Sequence, residues 1–590
     1  MAKKFIDVMD TTFRDGFQSV FGARVLMNDF LPAVAAAKEA GITHFEFGGG
    51  ARFQSLFFYL NENAFDMMDN FREIVGVDAN LQTLCRGVNT VTLDTGSKEM
   101  IDLHSKLFKK HGTTTVRNFD ALNDVENLRY SGESLVRHGL KHEVVVTMMD
   151  LPPGCKGAHD AEFYEGVLKK ILDNEIPFDS VCFKDASGTS SPKKVYETIK
   201  KARKILPANT HIRLHTHETA GVSVACYLAA LEAGADGIDL AAYPVSGGTS
   251  QPDILTLLHA TKGENYDLGG LNPEKILKYE EVLSECLKDY FIPPEATEVS
   301  PIIPFSPMPG GALTANTQMM RDNNILDKFP EVIKAMREVV EKGGYGTSVT
   351  PVSQFYFQQA FNNVMFGPWQ KIAEGYGKMV LGYFGKTPVK AYEEVIALAK
   401  KQLGLNPTTR TAIEIADEDH SKSIEFAKSI LEKEGIETSD ENIFIMLACK
   451  DRGIKFLKGH GEVKIRKGVN LNKTSTKQGD YTIVVNGIKY NTSVAYGHDA
   501  HIEVVDVFKA DEDTTNKRAV SEDDILSEIS GNVYKILIKA GEKVKQGQPI
   551  IVLEAMKMEI EITAKKDGII NEVFVKVGDA IESGEPLAKY

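Results

Sequence analysis

Over residues 1 to about 290, short apolar runs alternate with stretches of helical period. Eight runs read as strands: 5–10, 43–47, 80–85, 114–119, 143–148, 180–184, 211–217 and 237–242. Between them lie patterns of helical period, as at 29–40 and 190–205. Eight βα units in this length predict an α/β chain led by a (β/α)8 TIM barrel over residues 1–290. A doubly wound sheet is the weaker reading, because nothing in the sequence marks a reversal of strand order.

After about 290 the pattern changes. Pro293-Pro294 and the prolines between 301 and 309 lead into helical periods at 329–341, 390–403 and 414–433. Residues 291–475 therefore read as a mainly helical domain. A β alternation over 480–508, with an Asn486-Gly487 turn, suggests a small β module at 476–508. Residues 509–524 are highly charged and read as a linker. In the remainder, 525–590, the glycines repeat. Gly531, Gly541 and Gly547 match Gly568, Gly578 and Gly584 at an offset of 37. Two like halves of strand, turn and strand predict a flattened β-sandwich.

Composition narrows the function classes. A chain of 590 residues is too long for one core. A formal charge of −14 offers no basic excess to neutralise phosphates, so nucleic acid is not an expected partner. The six cysteines are scattered without a CxxC pair, which fits a reducing, cytoplasmic setting. The N-terminus shows no signal-peptide core, and no apolar run reaches the roughly 20 residues a membrane span needs, so direct membrane insertion is not expected.

Three sites carry candidate chemistry. Lys557 sits between two methionines in Glu554-Ala555-Met556-Lys557-Met558, at the junction of the repeated halves. An isolated lysine is usually only a solvating charge, but this context places it where a hairpin tip would protrude. His215 and His217 stand two apart on a strand and face the same way, which suits a divalent metal, with Asp15 on a neighbouring strand end. A barrel histidine is more often a satisfied core residue. In Val181-Cys182-Phe183-Lys184 the alternation puts Lys184 on the face opposite Val181 and Phe183. A lysine lining a barrel interior is costly unless paired or modified. The plain reading is a salt bridge, to Asp185 or another carboxylate. Carboxylation by CO₂ would instead turn the amine into an anionic oxygen ligand.

The string Glu-Ala-Met-Lys-Met resembles the biotinyl-lysine site of biotin carboxyl carrier domains. Arg14-Asp15 with Gln18-Ser19, Phe119 to Asn123, Phe183-Lys184-Asp185, His215-Thr216-His217, Met308 to Gly311, and Val349-Thr350-Pro351 with Ser353-Gln354 together resemble the carboxyltransferase domain of biotin enzymes acting on keto acids. That family includes pyruvate carboxylase, the oxaloacetate decarboxylase alpha subunit and the transcarboxylase 5S subunit. The resemblance implies biotin on Lys557, placed there by a biotin protein ligase. It implies a divalent metal (zinc, manganese or cobalt) on Asp15, His215, His217 and carboxylated Lys184. Gln18 and Arg86 would bind the keto acid, and Thr314 would pass a proton between the substrate methyl and biotin. The implied reaction is carboxyl transfer between carboxybiotin and a keto acid, with pyruvate and oxaloacetate as substrate and product and a homo-oligomer as the working form.

Several positions depart from the family pattern: Gly16 and Phe17 beside Asp15, Gln54 where an aspartate is usual, and Leu93 where a tyrosine is usual. No ATP-grasp region or P-loop is evident, so a separate ATP-dependent biotin carboxylase subunit is expected to charge Lys557. The favoured direction is pyruvate carboxylation, as in the biotin-bearing chain of a two-subunit pyruvate carboxylase. The alternative is the oxaloacetate decarboxylase alpha chain of a sodium pump. The opening Asp10 to Gly16 also looks like Claisen-type synthase barrels, which would not explain Lys557. A non-catalytic carrier scaffold would not explain the metal set.

Overall fold

The computed structural model describes residues 3–467, 479–485, 488–494, 521, 523–527, 531–555, 558–581 and 584–590. Lys557, the Asn486-Gly487 turn and most of the expected 509–524 linker lie outside the described residues. The chain divides into two compact units: Met1–Met320 with Ile325–Gly468, and Arg321–Asn324 with Val469–Tyr590.

The first unit opens with strands β1 (Lys4–Asp10), β2 (His44–Gly49), β3 (Asn80–Cys85), β4 (Thr115–Asn118), β5 (Lys141–Thr147), β6 (Ser180–Asp185), β7 (His211–Thr216) and β8 (Gly237–Leu240). Each pairs in parallel with the next, and β1 pairs with both β8 and β2, so the sheet closes into a barrel. A ninth strand, β9 (Tyr266–Leu268), runs beside the start of β1. Helices cover the outside, and local chemistry sets where they begin. Ser191 caps the helix Pro192–Ile205, with proline at its first position, and Asn272 does the same for Pro273–Leu287.

Alternation decides which side chains face in. Val181 and Phe183, Ile212 and Leu214, and Ile238 join the apolar layer under the helices. The opposite face carries charge instead of the usual aliphatic layers. Arg117 pairs with Glu143 at 2.6 Å and with Asp239. Arg213 pairs with Asp7, with Asp239 at 3.0 Å and with Glu143 at 3.4 Å. Burying ions is tolerable only with such pairing, and the network forms a polar floor under the barrel mouth.

Helices Gly310–Asp322, Phe329–Lys342, Val352–Phe366, Glu374–Val380 and Glu393–Leu403 follow. The expected helix at 414–433 is two helices, Ala412–Glu418 and Ile424–Lys433. Asp419 accepts from the Ser421 amide and Ser423 from the Phe426 amide, so side chains take the backbone donors that a continuous helix would use. Helix Asp440–Leu457 packs back on the barrel, with Phe444 edge-on to Phe53 at 5.4 Å. Among the described residues no helix is long and apolar enough to cross a membrane.

In the second unit, β10 (Gly479–Val485) and β11 (Ile488–Val494) form an antiparallel hairpin. The C-terminal strands form small sheets around Ile525, Val533, Ile551, Leu553, Ile562, Ile570 and Leu587. The glycine repeat has a conformational basis. Gly541 and Gly578 have φ of +90° and +98°, and Gly547 and Gly584 have +81° and +88°. Each half thus turns at matching places where only glycine is unstrained. Strands Pro549–Ala555 and Met558–Thr563 pair with Ala555 opposite Met558, and Met556-Lys557 join them in sequence.

Candidate active site at the barrel mouth

Asp15 lies in a single π-helical turn, Thr12–Gly16, directly after β1. The turn is packed hard: a Cβ on Gly16 would come within 2.7 Å of Val245 Cγ1, so the departure to glycine at this position is steric. Arg14 turns inward and binds Asp15 Oδ1 at 3.0 Å and Glu46 at 2.6 Å. Asp15 Oδ2 is thereby left to face the end of β7. It lies 3.1 Å from His215 Nε2 and 3.3 Å from His217 Nε2. Against the upward push of burial, Arg14 and then Lys184 hold the Asp15 carboxyl well below the usual carboxylate range.

Hydrogen bonding fixes both histidine tautomers. His217 Nδ1 lies 2.7 Å from the Thr249 carbonyl, which can only accept. His215 Nδ1 lies 2.7 Å from Asp239, whose carboxyl Arg117 holds ionised despite burial. Each ring therefore carries its proton on Nδ1 and presents a bare Nε2. Those two nitrogens lie 3.1 Å apart. Three buried lone-pair atoms converging in this way fit a divalent cation by the chemistry of the donor set.

Lys184 reaches the same point from β6. Its Nζ lies 2.6 Å from His215 Nε2 and 3.6 Å from Asp15 Oδ2. Asp185 is not its partner. That carboxylate accepts the amides of Ser187, Gly188 and Ser190. Burial lowers the Lys184 amine below the ordinary lysine range, against Asp15, which favours its charge.

A cavity opens above this cluster. Arg14, Gln18, Arg86, Lys184 and His217 line its polar side, and Leu84, Phe119 and Val349 its apolar side. Arg86 follows β3 and is anchored by Nη1 to the carbonyls of Val91 and Thr92 at 2.8 and 3.0 Å. Its buried Nε has no partner among the described residues. Burial, and then Arg14, bring its pKa down to about 10, which still leaves it charged. Gly311 and Ala312 also line the cavity. Thr314, one turn further along, is buried and turns its hydroxyl to Thr249 at 3.4 Å.

The other departures do not line the cavity. Phe17 is buried edge-on to Phe13 and Phe30. Gln54 donates to the Ala448 carbonyl at 2.7 Å. That carbonyl adjoins Lys450, where helix Asp440–Leu457 kinks with φ 49°. Leu93 is half-buried, and its carbonyl accepts from Asn89.

Sequence reasoning missed Asp239, Arg117 and Gln251. The first two alternate inward on their strands, a signal available from the period of two. Gln251 is in a loop after β8 and gave none.

Comparisons with known proteins bear on this arrangement. A family model described as "Conserved carboxylase domain" matches residues 303–505, one described as "Biotin-requiring enzyme" matches 521–590, and one described as "HMGL-like" matches 145–247. The chain is 29% identical over 559 residues to a pyruvate carboxylase subunit of Methanocaldococcus jannaschii, covering 94% of each. It is 27% identical over 616 residues to "2-oxoglutarate carboxylase large subunit" of Hydrogenobacter thermophilus, covering 95% of this chain and 91% of the relative. Among solved structures, the carboxyl transferase domain from Rhizobium etli pyruvate carboxylase superposes with a TM-score of 0.69 at 25% identity, over 77% of each chain.

Proposed function

Because the chain belongs to the biotin-dependent carboxyltransferase family, we propose that it carboxylates pyruvate to oxaloacetate, with the carboxyl group carried on biotin at Lys557. The observation that carries this reading is the meeting of Asp15, His215, His217 and Lys184 at the foot of the cavity that Arg86 and Gln18 line.

Asp15, His215, His217 and a CO₂-modified Lys184 would hold a divalent cation, zinc, manganese or cobalt. A cation there supplies a Lewis acid for the keto-acid carbonyl. Biotin supplies the nitrogen that carries the carboxyl group. Arg86 binds the substrate carboxylate through the guanidinium edge not tied to Val91 and Thr92. Gln18, next to Arg14 at 3.5 Å, orients the carbonyl. The apolar wall of Leu84, Phe119 and Val349 keeps water from the substrate methyl. Thr314 would take a proton from that methyl at Oγ1 and release its own hydroxyl proton, for which bound biotin would supply the acceptor nitrogen. Its long bond to Thr249 leaves the hydroxyl free to turn.

In this reading a biotin protein ligase modifies Lys557, a separate ATP-dependent biotin carboxylase charges it, and the chain works as a cytoplasmic homo-oligomer. The test combines the purified biotinylated chain with such a carboxylase, ATP, bicarbonate and pyruvate. Oxaloacetate formation, followed by malate dehydrogenase, is expected. Oxaloacetate decarboxylation without any forward reaction would overturn it.

A further inference from the structure

Gln251 is fully buried in the loop that follows β8. The nitrogen end of its amide lies 3.2 Å from Asp15 Oδ2, 3.0 Å from His217 Nε2 and 3.5 Å from His215 Nε2. The same three atoms lie 3.1 to 3.3 Å from one another. The four therefore stand at the corners of a nearly regular tetrahedron. For an edge near 3.2 Å its centre lies about 2.0 Å from each corner, the length of a bond from zinc to nitrogen or oxygen.

The other end of the amide meets Thr11. The Thr11 hydroxyl lies 2.6 Å from the Gln251 oxygen and 2.9 Å from the Leu240 carbonyl. The two ends of a primary amide have the same shape, so proton placement decides which faces which way. Two placements are complete. In the first, the amide nitrogen gives its protons to Asp15 and His217, and its oxygen accepts the Thr11 proton. In the second, the amide is turned over. Thr11 then gives its proton to Leu240 and accepts from the amide nitrogen, while the amide oxygen faces the cluster. Only the second suits a cation among Asp15, His215 and His217. Their lone pairs are then committed, and an amide N–H would point at positive charge.

The geometry points to Gln251 as a further protein ligand of the cation, through its side-chain oxygen, with Thr11 as the hydroxyl that makes the turned amide possible. The inference rests on the cation reading above and fills the fourth corner with Gln251, so a CO₂-modified Lys184 or the keto-acid carbonyl would join as a fifth ligand. It makes Gln251 a metal ligand, not merely a donor that positions Asp15.

The test measures cobalt and zinc affinity of the full chain by chelator competition, with the cobalt absorption spectrum as a second readout. Gln251→Leu keeps the bulk and removes both ends of the amide; its affinity is expected to fall at least roughly tenfold. Gln251→Glu presents oxygen in either orientation. It is expected to keep wild-type affinity or better and to shift the cobalt bands. If Gln251 only donates to Asp15 and His217, the glutamate repels Asp15 instead and binding falls in both variants. Equal loss in the two variants overturns the inference, as does unchanged affinity in Gln251→Leu. Failure of the wild-type chain to bind either metal would sink the cation reading itself, which is a different result.

Discussion

Asp239 accepts a hydrogen bond from His215 Nδ1 at 2.7 Å, and that one contact aims the opposite ring nitrogen at Asp15. Arg117 binds the same carboxylate oxygen and fixes it as an acceptor. The ring orientation is thus set from below by residues that never reach the cavity.

Asp239→Asn is expected to weaken cation binding by roughly 10- to 100-fold, because an asparagine has one oxygen only: if that oxygen serves Arg117 and His215, its NH2 faces the Arg213 guanidinium, another donor. Chelator competition on the full chain reads this. Unchanged affinity would show that His215 keeps its tautomer without Asp239.

Lys184→Ala is expected to abolish carboxyl transfer while leaving biotin on Lys557. Streptavidin blotting and the coupled oxaloacetate assay read the two separately. Normal transfer by this variant would end the assignment of a CO₂-modified Lys184.

Arg86→Met should lower kcat/KM for pyruvate by about 10- to 100-fold, the value of about 1.5–3 kcal/mol for a hydrogen bond to a charged group. The loss should appear mainly in KM. A change confined to kcat would place the substrate carboxylate elsewhere.

Gln54→Ala should destabilise the packing of helix Asp440–Leu457 by about 1–3 kcal/mol, since the Ala448 carbonyl loses its buried donor. Denaturant unfolding reads this. KM for pyruvate should not move, because Gln54 faces the helix and not the cavity.

Glu280 gives a pH signature away from the site. Burial, and then Asp253, push its carboxyl up to about 8. Between the ordinary glutamate range and pH 8 the folded protein keeps a proton that the unfolded chain has lost. Stability from this group therefore falls as pH rises through that window and levels off above it. Glu280→Gln, which keeps a donor for Asp253 at every pH, should flatten the decline in the unfolding midpoint between pH 5 and 8. An unaltered slope would mean that Glu280 is ionised throughout.

Much of the barrel was legible because its strands are short apolar runs of period two. Strands β3 and β6 begin where the pattern placed them, and the expected strand at 237–242 ends only two residues late. The ninth strand was not legible, since three residues carry no period. The 414–433 segment reads as one helix from its mixed acidic and basic residues, with no apolar residue between Ala416 and Ile424 to mark a break. Only the side-chain capping by Asp419 and Ser423 breaks it. In the site, Asp15, His215, His217 and Lys184 could be placed from strand ends and alternation. Gln251 could not, because a loop brings it in from after β8 with no periodicity to say where its amide points. The turn of Thr314 toward Thr249 is likewise a rotamer choice that sequence does not specify.

The charged floor of the barrel ties the scaffold to the site in a way an aliphatic interior would not. Arg117, Arg213, Glu143 and Asp239 share partners, so no one of them has a private role. Paired substitutions among them should be strongly non-additive. Asp239 and Arg117 touch the His215 imidazole and the other two hold them in place, so exchanging any one disturbs that ring. The interior therefore behaves as a single electrostatic part, to be kept or replaced whole, and a redesign of the substrate pocket is freer on its apolar wall than on its floor.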